Sequence, residues 1–430
     1  MRFMICIIVI AMVCHIWAIE ESSAEYTHDD TQTYSLEQLL DTALQQNTTL
    51  KQSILNVEKA RLGLSSVRIN YFPEISGSIS RSENFDNIRF EGRQHINSMG
   101  FTISKNIALK NQSYFATKNA EHSLTLAEIA HEMQINNTIF EIIQNYINVL
   151  ENQKRAALYE EDIKIQESIV AESNILFLQR KITQFQLQQS EINLLNSRIS
   201  SLNAQNNLND SRKRLFDLIN ITDETYPLDE VSIYDDVDSE TITRDINFDQ
   251  ILRIRQQNES MNSLRTSITQ TKMDFYPQMN LAYTYGRTLS SEDFSFDRGR
   301  NTHTISLNLS YSLNNLFRNR YTYKQARYTE EQQNLDTAQL IKDISQRFTQ
   351  LIEELKYLEQ LQTLQENRLL QTTANLEMAQ QRYRLGLLTQ LDLDKASYEY
   401  TQARIATENN HYAIIIKKLN IDNLLSNRLF

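Results

Sequence analysis

An internal repeat sets the terms for any fold of this chain. Asn70-Tyr71-Phe72-Pro73-Glu74-Ile75 returns as Asp274-Phe275-Tyr276-Pro277-Gln278-Met279, with the two prolines 204 residues apart. Around each copy the same events follow in order: a helix of moderate length, an aromatic pair with proline, an alternating strand, a polar loop, a second alternating strand and one very long helix. Alternating strands and striped helices bury apolar surface in different ways. A chain that does both, twice, is built to face two solvents.

Four segments alternate with period two. Ile75, Gly77 and Ile79 share one face of the first, and Met99, Phe101 and Ile103 one face of the second. Met279, Leu281, Tyr283 and Tyr285 do so in the third, and Ile305, Leu307, Leu309, Tyr311 and Leu313 in the fourth. The opposite faces are mostly Ser, Thr and Asn, with Glu74, Gly100, Gln278 and Ala282 among them. About ten alternating residues suffice for a tilted barrel strand to cross a bilayer, with lipid outside and water inside. The lipid-facing set is therefore expected to be Ile75, Ile79, Met99, Phe101, Ile103, Leu281, Tyr283, Leu307 and Leu309. Tyr71, Phe72, Phe275 and Tyr276 at the strand starts suit an interfacial girdle. Four strands cannot close a barrel, and an open sheet edge cannot sit in lipid. Several chains must then share one barrel.

The helices are read from scarcity of breakers. The chain holds three prolines and seven glycines, none of the latter between Gly100 and Gly286. From about Ser113 to Phe177 nothing interrupts a helix, and Ile135, Ile139, Ile142, Tyr146 and Val149 step by fours and threes. Leu340, Ile344, Phe348, Leu351, Leu355 and Leu358 do the same in the second copy. Narrow stripes of this kind fit coiled-coil packing. Each long helix reverses, near Arg180 to Gln184 and Leu385 to Gln390, and returns through another helix, the first striped by Ile192, Leu195, Ile199 and Leu202. The expected fold class is mixed α and transmembrane β: two long antiparallel helical hairpins hung from two strand pairs.

The expected organisation follows the repeat. Residues 25–219 form the first copy, with strands at about 73–105 and a hairpin at about 113–219. Residues 247–430 form the second, with strands at about 277–313 and a hairpin at about 316–420. Between them, 220–246 reads as a linker; Asp223 to Asp249 holds ten acidic residues against Arg244 alone. Residues 1–24 read as an export signal, with Arg2 before the apolar run Phe3 to Val13 and cleavage after Ala18 or Ala24. Both cysteines, Cys6 and Cys14, lie in it, so the mature chain has no disulfide and no thiolate site. Ala11-Met12-Val13-Cys14 is a poor lipidation box, because Val13 is bulky where a small residue is wanted. The net charge of −11 argues against nucleic acid as a partner. No metalloprotease, phosphate-loop or nucleophile-elbow motif is present, so no enzyme activity and no cofactor are expected.

The order and spacing of these pieces resemble the TolC family of outer-membrane efflux ducts. Three stretches carry the likeness: the opening helix Tyr34 to Asn47, the two aromatic-proline strand starts, and the late turn Arg382-Tyr383-Arg384-Leu385-Gly386-Leu387-Leu388-Thr389-Gln390-Leu391-Asp392-Leu393. The resemblance implies a homotrimer in the outer membrane. Its twelve strands, four per chain, would close one barrel that continues as an α-helical tunnel across the periplasm. It also implies a passive duct, coupled through a periplasmic adaptor to an inner-membrane pump or type I secretion transporter. The family gate lies at the second hairpin turn. Tyr383, Gly386 and Asp392 match it, whereas Leu388 stands in place of an arginine and Lys395 in place of an acid, with Asp394 as a nearby substitute charge. In the first turn Arg180 replaces a glycine and Gln186 sits where Asp392 aligns. A gate of Asp392, Asp394, Tyr383, Gly386 and Gln186 is thus expected, held closed more by packing than by ion pairs.

Two other functions compete. A water-soluble periplasmic coiled-coil adaptor explains the helices but not four strands with apolar faces. A diffusion porin needs some 16 strands in one chain and few long helices.

Overall fold

The computed structural model describes residues 36–84, 94–107, 112–220, 247–290 and 299–426. The signal segment with its two cysteines and nearly all of the acidic segment 220–246 lie outside the described residues.

The first copy contains α1 (Leu36–Gln46), α2 (Thr48–Arg68), β1 (Glu74–Asn84), β2 (Gln94–Asn106), α3 (Gln112–Leu178) and α4 (Gln184–Ile219). The second contains α5 (Leu252–Met273), β3 (Gln278–Ser290), β4 (Arg300–Ser310), α6 (Leu313–Arg384) and α7 (Gln390–Leu425). At 67 and 72 residues, α3 and α6 extend for about 100 Å and 110 Å. No helix among the described residues is long and apolar enough to cross a membrane.

The helix-to-strand junction is built alike in both copies. A prolyl residue lacks the N–H that a ladder needs, so Pro73 and Pro277 stand just before a strand rather than inside it. The carbonyl of Asn70 accepts from Ser113 Oγ (3.0 Å) and Lys105 Nζ (2.8 Å). The carbonyl of Asp274, 204 residues on, accepts from Asn319 Nδ2 (2.7 Å). Each strand start is thereby tied to the long helix that follows its hairpin.

The sheet is four-stranded and antiparallel throughout, in the order β1-β2-β3-β4, with the copies joined through β2 and β3. Among the described residues, its outermost strands, β1 and β4, have no partner beyond them. At the central joint Gly100 faces Gly286, and a Cβ on Gly100 would stand 2.5 Å from the Tyr285 carbonyl oxygen. Only glycine lets the two strands approach this closely.

The main apolar core lies at mid-length of α3, where the ends of α4 and α7 meet it. Leu36, Leu39, Leu40 and Ala43 of α1 close over Ile139, Ile142, Ile143, Tyr146 and Ile147 of α3, joined by Leu215 and Phe216 of α4 and Leu419 of α7. The α3 stripe read from the sequence thus faces this core. The α4 stripe does not. Ile192, Leu195, Ile199 and Leu202 are exposed, while Ser190, Ser197, Ser201 and Ala204 are buried in the hairpin. Small residues bring α4 close to α3, and the larger apolar row is left facing outward.

Candidate functional site

The tips of the two hairpins are near-copies of one turn. In the second, Gly386 takes φ +72°, its N–H donates to Tyr383 O (2.8 Å), and the Leu387 N–H donates to Arg382 O (2.8 Å). In the first, Arg180 takes φ 57°, its N–H donates to Phe177 O (2.8 Å), and the Lys181 N–H donates to Leu176 O (2.9 Å). This pattern closes a helix through one left-handed residue. Glycine does so freely, whereas an L side chain pays about 1–2 kcal/mol. The residue changed between the copies and the backbone did not.

Both returning helices then start on a threonine cap. Thr183 Oγ1 accepts from the Gln186 N–H (3.3 Å), and Gln186 Oε1 accepts from the Thr183 N–H (2.8 Å). Thr389 Oγ1 accepts from the Asp392 N–H (3.2 Å) and donates to Asp392 Oδ2 (2.6 Å). Gln186 and Asp392 therefore occupy the same third position of their helices. A carboxylate there also suits the positive end of the helix dipole. Asp392 is exposed, in a shallow groove that Arg382, Lys395 and Glu399 also line.

Asp394 belongs to another face of α7. It is half-buried toward α4, accepts from Gln390 Nε2 (2.7 Å), and is also bonded by Asn193. Burial lifts its carboxyl above the ordinary carboxylate range, against the two hydrogen bonds, which pull it down. A raised pKa means that the folded state holds the proton more tightly than the unfolded chain. Asp394 accordingly favours folding in acid, and that contribution is lost as pH rises through its folded pKa. Asp394→Asn should raise the thermal midpoint at neutral pH and give no gain near pH 3, below the ordinary range of about 4. Thermal melts across pH check this; a gain that ignores pH would remove burial as the cause.

Beneath the turns, one buried polar knot joins all four long helices. Ser173 of α3 lies 3.0 Å from Ser190 Oγ of α4 and 2.9 Å from the Tyr383 hydroxyl of α6, and donates to Gln390 Oε1 of α7 (3.3 Å). With Tyr383 as donor to Ser173 and Ser190 donating to the Gln186 carbonyl (3.2 Å), every hydroxyl proton in the knot has an acceptor. Tyr383 is 1% exposed, and burial pushes its phenol pKa up. Ile169, Leu176, Leu376, Ala379, Leu393 and Ala396 surround it, and Leu388 packs on the edge. Ion pairs also tie the hairpins: Arg384 of α6 to Glu172 of α3, and Arg404 of α7 to Glu161 of α3. Higher up, buried Asp162 of α3 accepts from Ser197 Oγ of α4 (2.5 Å) and Thr401 Oγ1 of α7 (2.6 Å). Sequence reasoning missed Glu172, Ser173 and Ser190, which carry no motif, and gave no role to Arg384 and Gln390, although both lie in the late turn that carries the resemblance.

At the other end of the molecule, strand register aligns the apolar residues across the sheet. Ile75 faces Ile103 and Ile79 faces Met99. Ile103 also faces Tyr283, which faces Ile305, while Leu281 faces Leu307 and Met279 faces Leu309. All nine residues expected to meet lipid thus share one face, and Leu307 and Leu309 are 63% and 66% exposed. Phe101 stacks obliquely on Tyr283 and Tyr285, at 6.1 and 5.5 Å between ring centres. The Tyr283 hydroxyl bonds His303 Nδ1 at 2.9 Å. The other face is lined by hydroxyls, with Ser80 bonded to Ser98 (2.6 Å) and Thr102 to Thr284 (3.2 Å).

A family model of outer membrane efflux proteins matches residues 39–220 and 252–427. The chain belongs to this family. Solved structures share the fold at low identity. CusC gives a TM-score of 0.81 at 16% identity over 94% of this chain and 95% of that one. The outer membrane protein VceC of Vibrio cholerae gives 0.79 at 14% over 91% and 95%. The open state of the Neisseria gonorrhoeae MtrE outer membrane channel gives 0.79 at 16% over 91% and 88%. No curated protein matches in sequence. As an outer membrane efflux protein of the TolC type, the chain is an exit duct in the outer membrane, with a helical tunnel below a shared β-barrel. Nothing favours the adaptor alternative.

Proposed function

We propose that three copies of this chain form a passive duct, which a periplasmic adaptor joins to an inner-membrane transporter and opens at the hairpin tips. The open sheet carries the reading. Its apolar face is largely exposed, and among the described residues no strand lies beyond β1 or β4, which leaves sheet edges that lipid cannot satisfy. A neighbouring copy satisfies both at once. The exposed α4 stripe Ile192, Leu195, Ile199 and Leu202 gives the helices the same need for a neighbour. At the tips Leu178, Phe185, Leu385, Leu387 and Leu391 stand exposed, an apolar surface at which an adaptor can dock.

In this duct three copies of Asp392 surround the axis at the constriction. Like charges brought together in a narrow, low-dielectric passage draw in cations. Arg382 and Lys395 beside Asp392 temper this field but leave the carboxylate as the acid of the tip turn. Single-channel recording in planar bilayers tests the assignment. Asp392→Ala should weaken cation preference and block by multivalent cations. Unchanged selectivity would move the constriction to another ring, with Asp394 or Gln186 next in line.

A further inference from the structure

A cavity that the duct mechanism leaves unused lies beside the mid-length core. It is a half-open concavity of about 380 Å³ where the first turn of α5 meets the last turns of α7, against α3 and the middle of α6, with both of its arginines exposed. Arg253 and Arg347 line it, together with Asn136, Asn137, Asn420 and Asn423, and no acidic residue does. Neither Asp249 nor Asp422, on the flanking elements, is among its walls.

For a chain of net charge −11, this locus is unusual. Arg255, two residues along α5, is paired with Glu132 of α3 at 3.0 Å. Among the described residues, Arg253 and Arg347 make no ion pair. Glu354, two turns along α6, feels Arg347 through space but is itself bonded to Lys417 Nζ at 2.6 Å. The cavity also receives the N-terminus of α5, whose first turn has no acidic residue and whose cap, Ile251, offers no side-chain acceptor. Only the Leu252 N–H finds a side chain, Ser426 Oγ, at 3.3 Å. Cations are normally disfavoured at a helix N-terminus. Two guanidiniums and a positive helix end thus share one concavity without a countercharge.

We infer that this cavity binds a soluble phosphate-bearing anion. Guanidinium forks hold phosphate oxygens bidentately, and the four carboxamides can supply further N–H donors. A doubly charged phosphate balances the two arginines. A lipid headgroup is excluded by position. Asn136 lies 24 residues into α3, about 36 Å along the helix from the strand that precedes it.

The probe is inorganic phosphate, titrated calorimetrically into the full-length protein in detergent, with chloride at matched ionic strength as reference. Saturable binding is expected. The double variant Arg253→Ala, Arg347→Ala should weaken it about tenfold or more. Arg368→Ala, which removes one positive charge elsewhere on α6, should leave it unchanged. Arg347→Lys keeps the charge and loses the fork, so it should bind more weakly while the mass of the assembly stays that of wild type. Absence of saturable binding, or equal affinity in wild type and the arginine variants, overturns the inference. The measurement does not involve transport, so its failure leaves the duct reading standing.

Discussion

Leu307→Lys should abolish assembly, whereas Asn308→Lys should leave it intact. Leu307 lies on the edge strand opposite Leu281, on the face that carries Ile305 and Leu309, and is 63% exposed. In water an exposed leucine needs no explanation, but a whole exposed apolar sheet face does. A lysine on a lipid-facing strand costs about 2–4 kcal/mol near the bilayer midplane. Asn308 points the other way, paired across Asn280 on the hydroxyl-lined face, where water can solvate the ammonium group. The readout is the fraction of each variant recovered from membranes as an oligomer. Equal recovery of the two would mean that this strand never meets lipid.

Tyr383→Ala is expected to have the second large effect, at the opposite end of the molecule. It empties the centre of the tip core, and removal of a fully buried aromatic costs about 3–5 kcal/mol. It also leaves Ser173 without the Tyr383 hydroxyl as donor. Tyr383→Phe keeps the ring and removes only that hydrogen bond, worth about 1 kcal/mol. If the tips hold the duct closed, the alanine variant should conduct constantly in planar bilayers, and the phenylalanine variant only slightly more than wild type. Two closed variants would show that Tyr383 stabilises the fold without holding a gate.

Much of this architecture was legible because its signals are local. Strand periodicity, a pair of prolines before strands, and long stretches without glycine or proline are read within a dozen residues. The elements so placed agree closely with the structure; α3, read from about Ser113 to Phe177, runs from Gln112 to Leu178. What was not legible depends on which face meets which neighbour. The row Ile192, Leu195, Ile199 and Leu202 looks like a hairpin seam, yet serines and an alanine form that seam. A stripe shows which residues share a face and not whether this chain or another copy covers it. The tip knot was hidden for a related reason. Tyr383 and Gln390 lie in the late turn, but Ser173 and Ser190, up to 217 residues away, carry no pattern that links them to it before the helices meet. Even the equivalence of Gln186 with Asp392 becomes intelligible only once both are seen beside their capping threonines.

The central claim is that copies of this chain complete one barrel between them. Native mass measurement of the detergent-solubilised protein tests it most directly, with limited proteolysis to show that the strands are folded. The account predicts one dominant species of three chains with protected strands. A stable monomer with its strands equally protected would contradict it, because a single four-stranded sheet would then be complete by itself.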